Sequence, residues 1–171
     1  MAPRPLIILG SARSEGNTWQ AVEAVMERRA ADIVDLKKLH IGHYDYENRN
    51  REDDFLPLAE RMVAADCIVF ATPVYWYAMS ALLKTMFDRF TDLITIRKDL
   101  GRALKDKPCW VIACGAAHAL PEGFEIPFRA TCDYLEMQYK ACFYAVAENK
   151  ERITAQSQKE AKAFAKRLFA E

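Results

Sequence analysis

The sequence predicts an α/β protein, a doubly wound sheet of five parallel strands with helices on both faces. Three observations carry this. Strand-like and helix-like runs alternate five times along the chain. Residues 66–74 form a continuous apolar, β-branched run that suits a strand covered on both faces. The segments of most unusual composition follow the first, third and fourth strand-like runs, at the sheet edge where such folds bind ligands. The 171 residues suit one domain over 1–171, long enough to bury a substantial core.

The first strand is predicted over 5–9, where Leu6-Ile7-Ile8-Leu9 runs straight into Gly10. A helix over 18–30 follows, with Trp19, Val22, Val25 and Met26 on one face. Residues 32–36 read as a short second strand. Residues 37–54 are polar and read as a long excursion, of a length that is usually functional or mobile. Phe55, Leu58, Met62 and Val63 recur at helical spacing, which predicts a helix over 54–65. The third strand occupies 66–74 and closes at Pro73, which has no N–H for the ladder. Tyr75-Trp76-Tyr77 then form a loop, and a helix continues to about residue 94 on a frame of Ala81, Leu82, Thr85, Met86 and Arg89. Gly101 and Pro108 bracket a connection, and 109–114 form the fourth strand, opening into Gly115-Ala116-Ala117-His118. After Pro121-Glu122-Gly123 comes a helix to about residue 135, then a fifth strand over 138–147. A final helix over 154–169 takes Ala155, Ala161, Phe164, Leu168 and Phe169 as its apolar positions.

Composition narrows the class. Lys+Arg and Asp+Glu both number 24, and a net charge of zero argues against a nucleic-acid or anionic-membrane binder. The first residues show no leader peptide, and no apolar stretch reaches the ~20 residues that cross a bilayer. The five cysteines are an odd number without a C-x-x-C pair, so buried free thiols in a reducing compartment are expected, and no metal site. A cytoplasmic location follows as the expectation.

The chemistry lies in three loops. In the first, Ser11, Ser14 and Thr18 carry hydroxyls, Asn17 an amide and Arg13 a guanidinium, and Gly16 lets backbone N–H groups face inward. A strand that empties into such a loop at a helix amino end is a place for phosphate. Helix capping by the same Ser, Asn and Thr residues explains the loop equally well. The loop matches neither G-x-x-x-x-G-K-[ST] nor G-x-G-x-x-G, which argues against ATP and dinucleotide binding of the usual kind. In the second, three consecutive aromatics after a strand-ending proline are poorly placed for the core and suit a wall against a flat ring system, or a dimer interface. The third loop is small-residued.

Here a resemblance enters. Residues 10–18, Gly-Ser-Ala-Arg-Ser-Glu-Gly-Asn-Thr, resemble the G-S-x-R-x-x-G-N-T phosphate loop of the flavodoxin-like NAD(P)H-dependent oxidoreductases, the NADPH-dependent FMN reductase family. Residues 72–89 resemble its second motif, S-P-V-Y-W-x-x-x-P-A-x-L-K-x-F-x-D-R, and the element pattern extends the likeness over nearly the whole chain. The resemblance implies flavodoxin-like strand order 2-1-3-4-5 and bound FMN. Ser11, Arg13, Ser14, Gly16, Asn17 and Thr18 would hold its phosphate. Pro73, Val74, Tyr75 and Trp76 would line the ribityl chain and ring, and Gly115 and Ala116 the pyrimidine edge. Two departures stand out: Tyr77 replaces a commoner small residue, and Ser80 replaces proline. Some relatives carry an iron–sulfur cysteine cluster after strand two; residues 37–54 hold no cysteine.

The expected activity is transfer of a hydride from NADPH or NADH through the flavin to a small acceptor such as a quinone, flavin or nitro compound. The cofactor does the chemistry, so no catalytic side chain is assigned. Tyr77 and His118 are candidate substrate contacts; His40 and His43 read as a solvated loop or, alternatively, as a lining of the substrate mouth, and Lys84, Asp88 and Arg89 as structural or interface groups. A homodimer, or a dimer of dimers, is expected from the resemblance. A flavodoxin-type electron carrier and a flavin-binding sensor are the rivals; the zero net charge disfavours the carrier.

Overall fold

The computed structural model describes residues 3–149 and 152–170. Met1 and Ala2, part of the amino-terminal stretch examined for a leader, lie outside them. Along β1 (Pro5–Leu9), Leu6 and Ile8 face one way and Ile7 and Leu9 the other, all buried. This two-residue alternation repeats in β3 (Cys67–Pro73) and β4 (Pro108–Gly115), where neither face meets water. The short β2 (Asp32–Asp35) and the half-buried β5 (Gln138–Val146) are the edges. All neighbours pair in parallel, in the order β2-β1-β3-β4-β5. That is the order the resemblance implied.

Two cores result. On one face α1 (Asn17–Met26) and α7 (Ala155–Leu168) cover Ile7, Val69, Trp110 and Ile112. On the other, α2 (Phe55–Ala64), α3 (Ala81–Asp88), α4 (Phe90–Thr95), α5 (Lys98–Ala103) and α6 (Ile126–Tyr134) cover Leu6, Ile68, Phe70 and Val111. There Phe70, Phe87, Phe90 and Phe128 meet in a cluster of tilted and edge-on rings.

Several boundaries differ from the sequence reading. The first helix stops at Met26, because Glu27 and Arg28 turn left-handed. The predicted strand at 32–36 gives up Leu36 to a 3-10 turn, Leu36–Lys38, capped by the Asp35 carboxylate on the Lys37 N–H. The single helix expected to residue 94 is two, α3 and α4, broken at Arg89. Of the expected frame, Met86 and Arg89 are buried and Leu82 and Thr85 half-buried, while Ala81 is exposed; Leu83 and Phe87 are buried as well. The connection at Gly101 contains α5, and Gly101 is there because an added Cβ would come within 2.2 Å of the Leu93 carbonyl oxygen. In α7, Ala155 is exposed, and Ser157 and Ala165 are buried instead.

Residues 37–54 are pinned. The Arg89 guanidinium, wholly buried, donates to Asp92 at 2.8 and 2.9 Å, to Asp53 at 2.5 Å and to the Gly42 carbonyl at 3.2 Å, and lies over the Phe55 ring. Asp53 also accepts from the N–H groups of Gly42 and Phe55. Burial alone would raise the Asp53 pKa, but Arg89 and those amides hold it below the usual carboxylate value. Arg89 is thus structural, as expected, and Lys84 and Asp88 form a surface pair.

Candidate cofactor-binding site

The loops after β1, β3 and β4 meet at the carboxyl edge of the sheet, tied together by backbone and one serine. The Gly10 N–H extends the ladder to the Ala71 carbonyl at 2.8 Å. Ser80, buried, donates its hydroxyl to the Gly10 carbonyl at 2.6 Å and caps α3 by accepting from the Leu83 N–H at 3.2 Å. Its own N–H donates to Thr72 Oγ1 at 3.0 Å. Sequence reading registered Ser80 only as a departure and missed this role, because its partner lies seventy residues earlier. Gly10 is required by close approach: an added Cβ would meet the Leu83 Cβ at 2.8 Å.

The first loop brings its predicted residues to the amino end of α1. Ser11, Gly16 and Thr18 are buried, Ser14 and Asn17 half-buried, and Arg13 exposed. Ser11 Oγ accepts from the Arg13 N–H at 3.4 Å. Gly16 is the N-cap, in extended conformation, so the capping position itself supplies no side-chain hydrogen bond, and the first turn holds no acidic residue. Among the described residues the Ser, Asn and Thr side chains of the loop do not supply that cap, which leaves the first-turn amides with capacity for an anion. Asn17 donates Nδ2 to the Asn149 carbonyl at 2.6 Å, while its Oδ1 is buried without a hydrogen-bond partner. An unused acceptor there suits a hydroxyl donor beside the anion. Asn149, in the segment after β5, was also missed by the sequence reading.

The second loop is a tight hairpin. Tyr75 and Ala78 exchange both backbone hydrogen bonds, at 2.9 and 3.0 Å, across Trp76 (φ 47°) and Tyr77 (φ 68°). Two consecutive left-handed residues make this a type I′ turn, the geometry that favours Asn-Gly. Holding a bulky side chain there costs about 1–3 kcal/mol per residue. Trp76 is nevertheless 93% and Tyr77 74% exposed, with Tyr75 at 48%. Pro73 is buried and Val74 half-buried, and the Val74 N–H donates to the Cys114 carbonyl at 2.7 Å.

The third loop lies close behind. A Cβ on Gly115 would meet the Tyr144 hydroxyl at 2.7 Å and Val74 at 3.3 Å. Tyr144 donates that hydroxyl to the Ala117 carbonyl at 2.9 Å and so holds the loop, a role with no local sequence signal. Ala116 and His118 are exposed. Burial pushes the Cys114 thiol up to about 11, so it stays protonated at neutral pH. None of the five cysteines, all among the described residues, forms a disulfide. Among the described residues no cluster of His, Cys, Asp or Glu is placed to hold a metal, and no helix is long and apolar enough to cross a membrane.

Three comparisons bear on this rim. A family model described as NADPH-dependent FMN reductase matches residues 3–151. YwqN of Bacillus subtilis (strain 168), whose provisional name is NAD(P)H-dependent FMN-containing oxidoreductase, is 28% identical over 144 residues, covering 78% of this chain and 80% of that one. Among solved structures, the Trp repressor binding protein of Bacillus subtilis superposes with a TM-score of 0.76 at 24% identity, over 92% of this chain and 95% of that one. The general stress protein 14 of Treponema denticola, solved in complex with FMN, gives 0.65 at 18% identity over 98% and 97%.

Proposed function

The chain belongs to the NADPH-dependent FMN reductase family, and from that premise we propose that its three-loop rim holds FMN and serves hydride transfer from NAD(P)H to a small acceptor. When bound, FMN supplies the two-electron chemistry. The protein's part is to bind, orient and shield. In this reading Ser11, Arg13, Ser14, Gly16, Asn17 and Thr18 take the phosphate, and the unused Asn17 Oδ1 takes a ribityl hydroxyl. Pro73, Val74, Tyr75 and Trp76 flank the ribityl chain and ring, Gly115 and Ala116 run along the pyrimidine edge, and Tyr77 and His118 stand on the acceptor side.

The observation that carries the reading is the amino end of α1: uncapped, without an acid in its first turn, and next to an orphaned acceptor. The test is direct. Purified protein reconstituted with FMN is mixed anaerobically with NADH or NADPH, and the flavin absorbance band bleaches with at least one. Failure to retain FMN, or a band unmoved by both, overturns the reading.

The same proposal includes a homodimer and a cytoplasmic location. Exposed Ile94 and Tyr134, with Met79, Phe87 and Pro127, line a groove of about 410 Å³ between α3–α4 and α6, which supports self-association. Light scattering should report twice the 19.5 kDa chain mass; a monomer at micromolar concentration counts against it. Five cysteines without a disulfide among them support a reducing compartment.

A further inference from the structure

We propose that Tyr77 selects the acceptor, favouring flat fused-ring compounds, such as two-ring quinones, over single-ring ones. This rests on the proposed flavin site and names the substrate class it takes.

The argument starts from the turn. A two-residue I′ hairpin is satisfied by Asn or Gly, yet this chain puts two aromatic residues at φ 47° and 68°. Nothing in the fold repays that choice: Trp76 and Tyr77 are 93% and 74% exposed, so their rings give little to the core. What they stabilise lies outside the chain. The hairpin is also firmly seated, through the Tyr75–Ala78 hydrogen bonds, the Val74 bond to Cys114, and Ser80 between Gly10 and Thr72. Exposed rings on a fixed support act as a preformed aromatic surface rather than a mobile arm. Such a surface pairs with planar π systems in offset or edge-on geometry, and the gain grows with the ring area presented. A second fused ring adds area for such a pairing, and with Trp76 assigned to the flavin the proposal gives that area to Tyr77, 74% exposed at the second turn position.

The test compares wild type, Tyr77→Gly and Tyr77→Phe as FMN-loaded proteins. Dissociation constants for a naphthoquinone and a benzoquinone are measured by calorimetry without NAD(P)H, so no turnover enters. Tyr77→Gly should weaken naphthoquinone binding about fivefold, leave benzoquinone within about twofold, and raise Tm by about 2 °C as the left-handed position is relieved. Tyr77→Phe should keep the wild-type ratio. The ratio of kcat/KM for the two quinones should follow the ratio of dissociation constants. An unchanged ratio in Tyr77→Gly overturns the proposal, as does a ratio lost in Tyr77→Phe, which would assign selection to the hydroxyl. A Tm that does not rise overturns the strain premise. If Tyr77→Gly instead lowers the solution mass with its ratio intact, the ring serves a second copy of the chain. Wild type that takes up no FMN refutes the site itself, a result distinct from all of these.

Discussion

Helices α1 and α3 both begin at the carboxyl edge of the sheet, one after β1 and the other after β3, yet their amino ends are finished in opposite ways. At α3, Ser80 is buried and its hydroxyl is fully engaged, accepting from Leu83 and donating to Gly10. At α1, the N-cap is Gly16, which offers no side chain to the first turn. One helix end is used to hold the fold together; the other is the end that the proposed reading gives to the FMN phosphate. The two are coupled, because the Gly10 carbonyl that receives Ser80 opens the very loop that leads to Gly16. A sheet edge with both ends capped would be more stable and unable to bind an anion.

The comparison can be broken by making α1 resemble α3. Gly16→Asp places a carboxylate cap where the phosphate would lie, and FMN affinity should fall by about 100-fold through like-charge repulsion, with stability within about 0.5 kcal/mol of wild type. Fluorescence titration of FMN and urea unfolding measure the two. Retained affinity would mean that the phosphate does not sit at this helix end. The converse change, Ser80→Ala, strands the Gly10 carbonyl and the Leu83 N–H in a buried place and should cost about 2 kcal/mol, a drop in Tm of about 4–8 °C. A loss below about 0.5 kcal/mol would show that the serine is not the tie described.

Arg13→Ala sharpens the contrast further. It removes an exposed guanidinium from the loop and should weaken FMN about tenfold while leaving Tm within a degree or two. Equal losses in binding and stability would mark Arg13 as structural. The smallest effect concerns the far end of α3, where Asp53 anchors residues 37–54 to Arg89. Its pKa is lowered in the folded state, so its contribution to stability is complete above the unfolded value of about 4 and is lost as pH falls through the folded value. Pepsin in acid should therefore cut first within 39–54; first cuts in α1 or α7 would contradict this.

Much of this was legible along the chain. Leu6 to Leu9, the run through Cys67–Pro73 and the run around Trp110 announced three central strands, since side chains covered on both faces leave an uninterrupted apolar record. The loop from Gly10 to Thr18 announced either a phosphate site or a capped helix, and its composition alone does not separate the two. What escaped was whatever depends on distant partners. The break at Arg89 is invisible in the helical spacing, and one of the two carboxylates its buried guanidinium meets there, Asp53, lies thirty-six residues upstream. Gly101 read as a connector because glycine marks loops and close packing alike. Nothing in three aromatic letters discloses a left-handed turn, and Tyr144 and Asn149 reach their loops only through the fold.

That turn has a practical corollary for anyone who improves this protein by selection. A library over the hairpin screened for heat resistance alone would enrich Trp76→Asn and Tyr77→Gly, the residues the backbone prefers. The survivors would look better by every measure of robustness. They would have traded away the aromatic surface that the wild-type chain maintains against its own conformational preference.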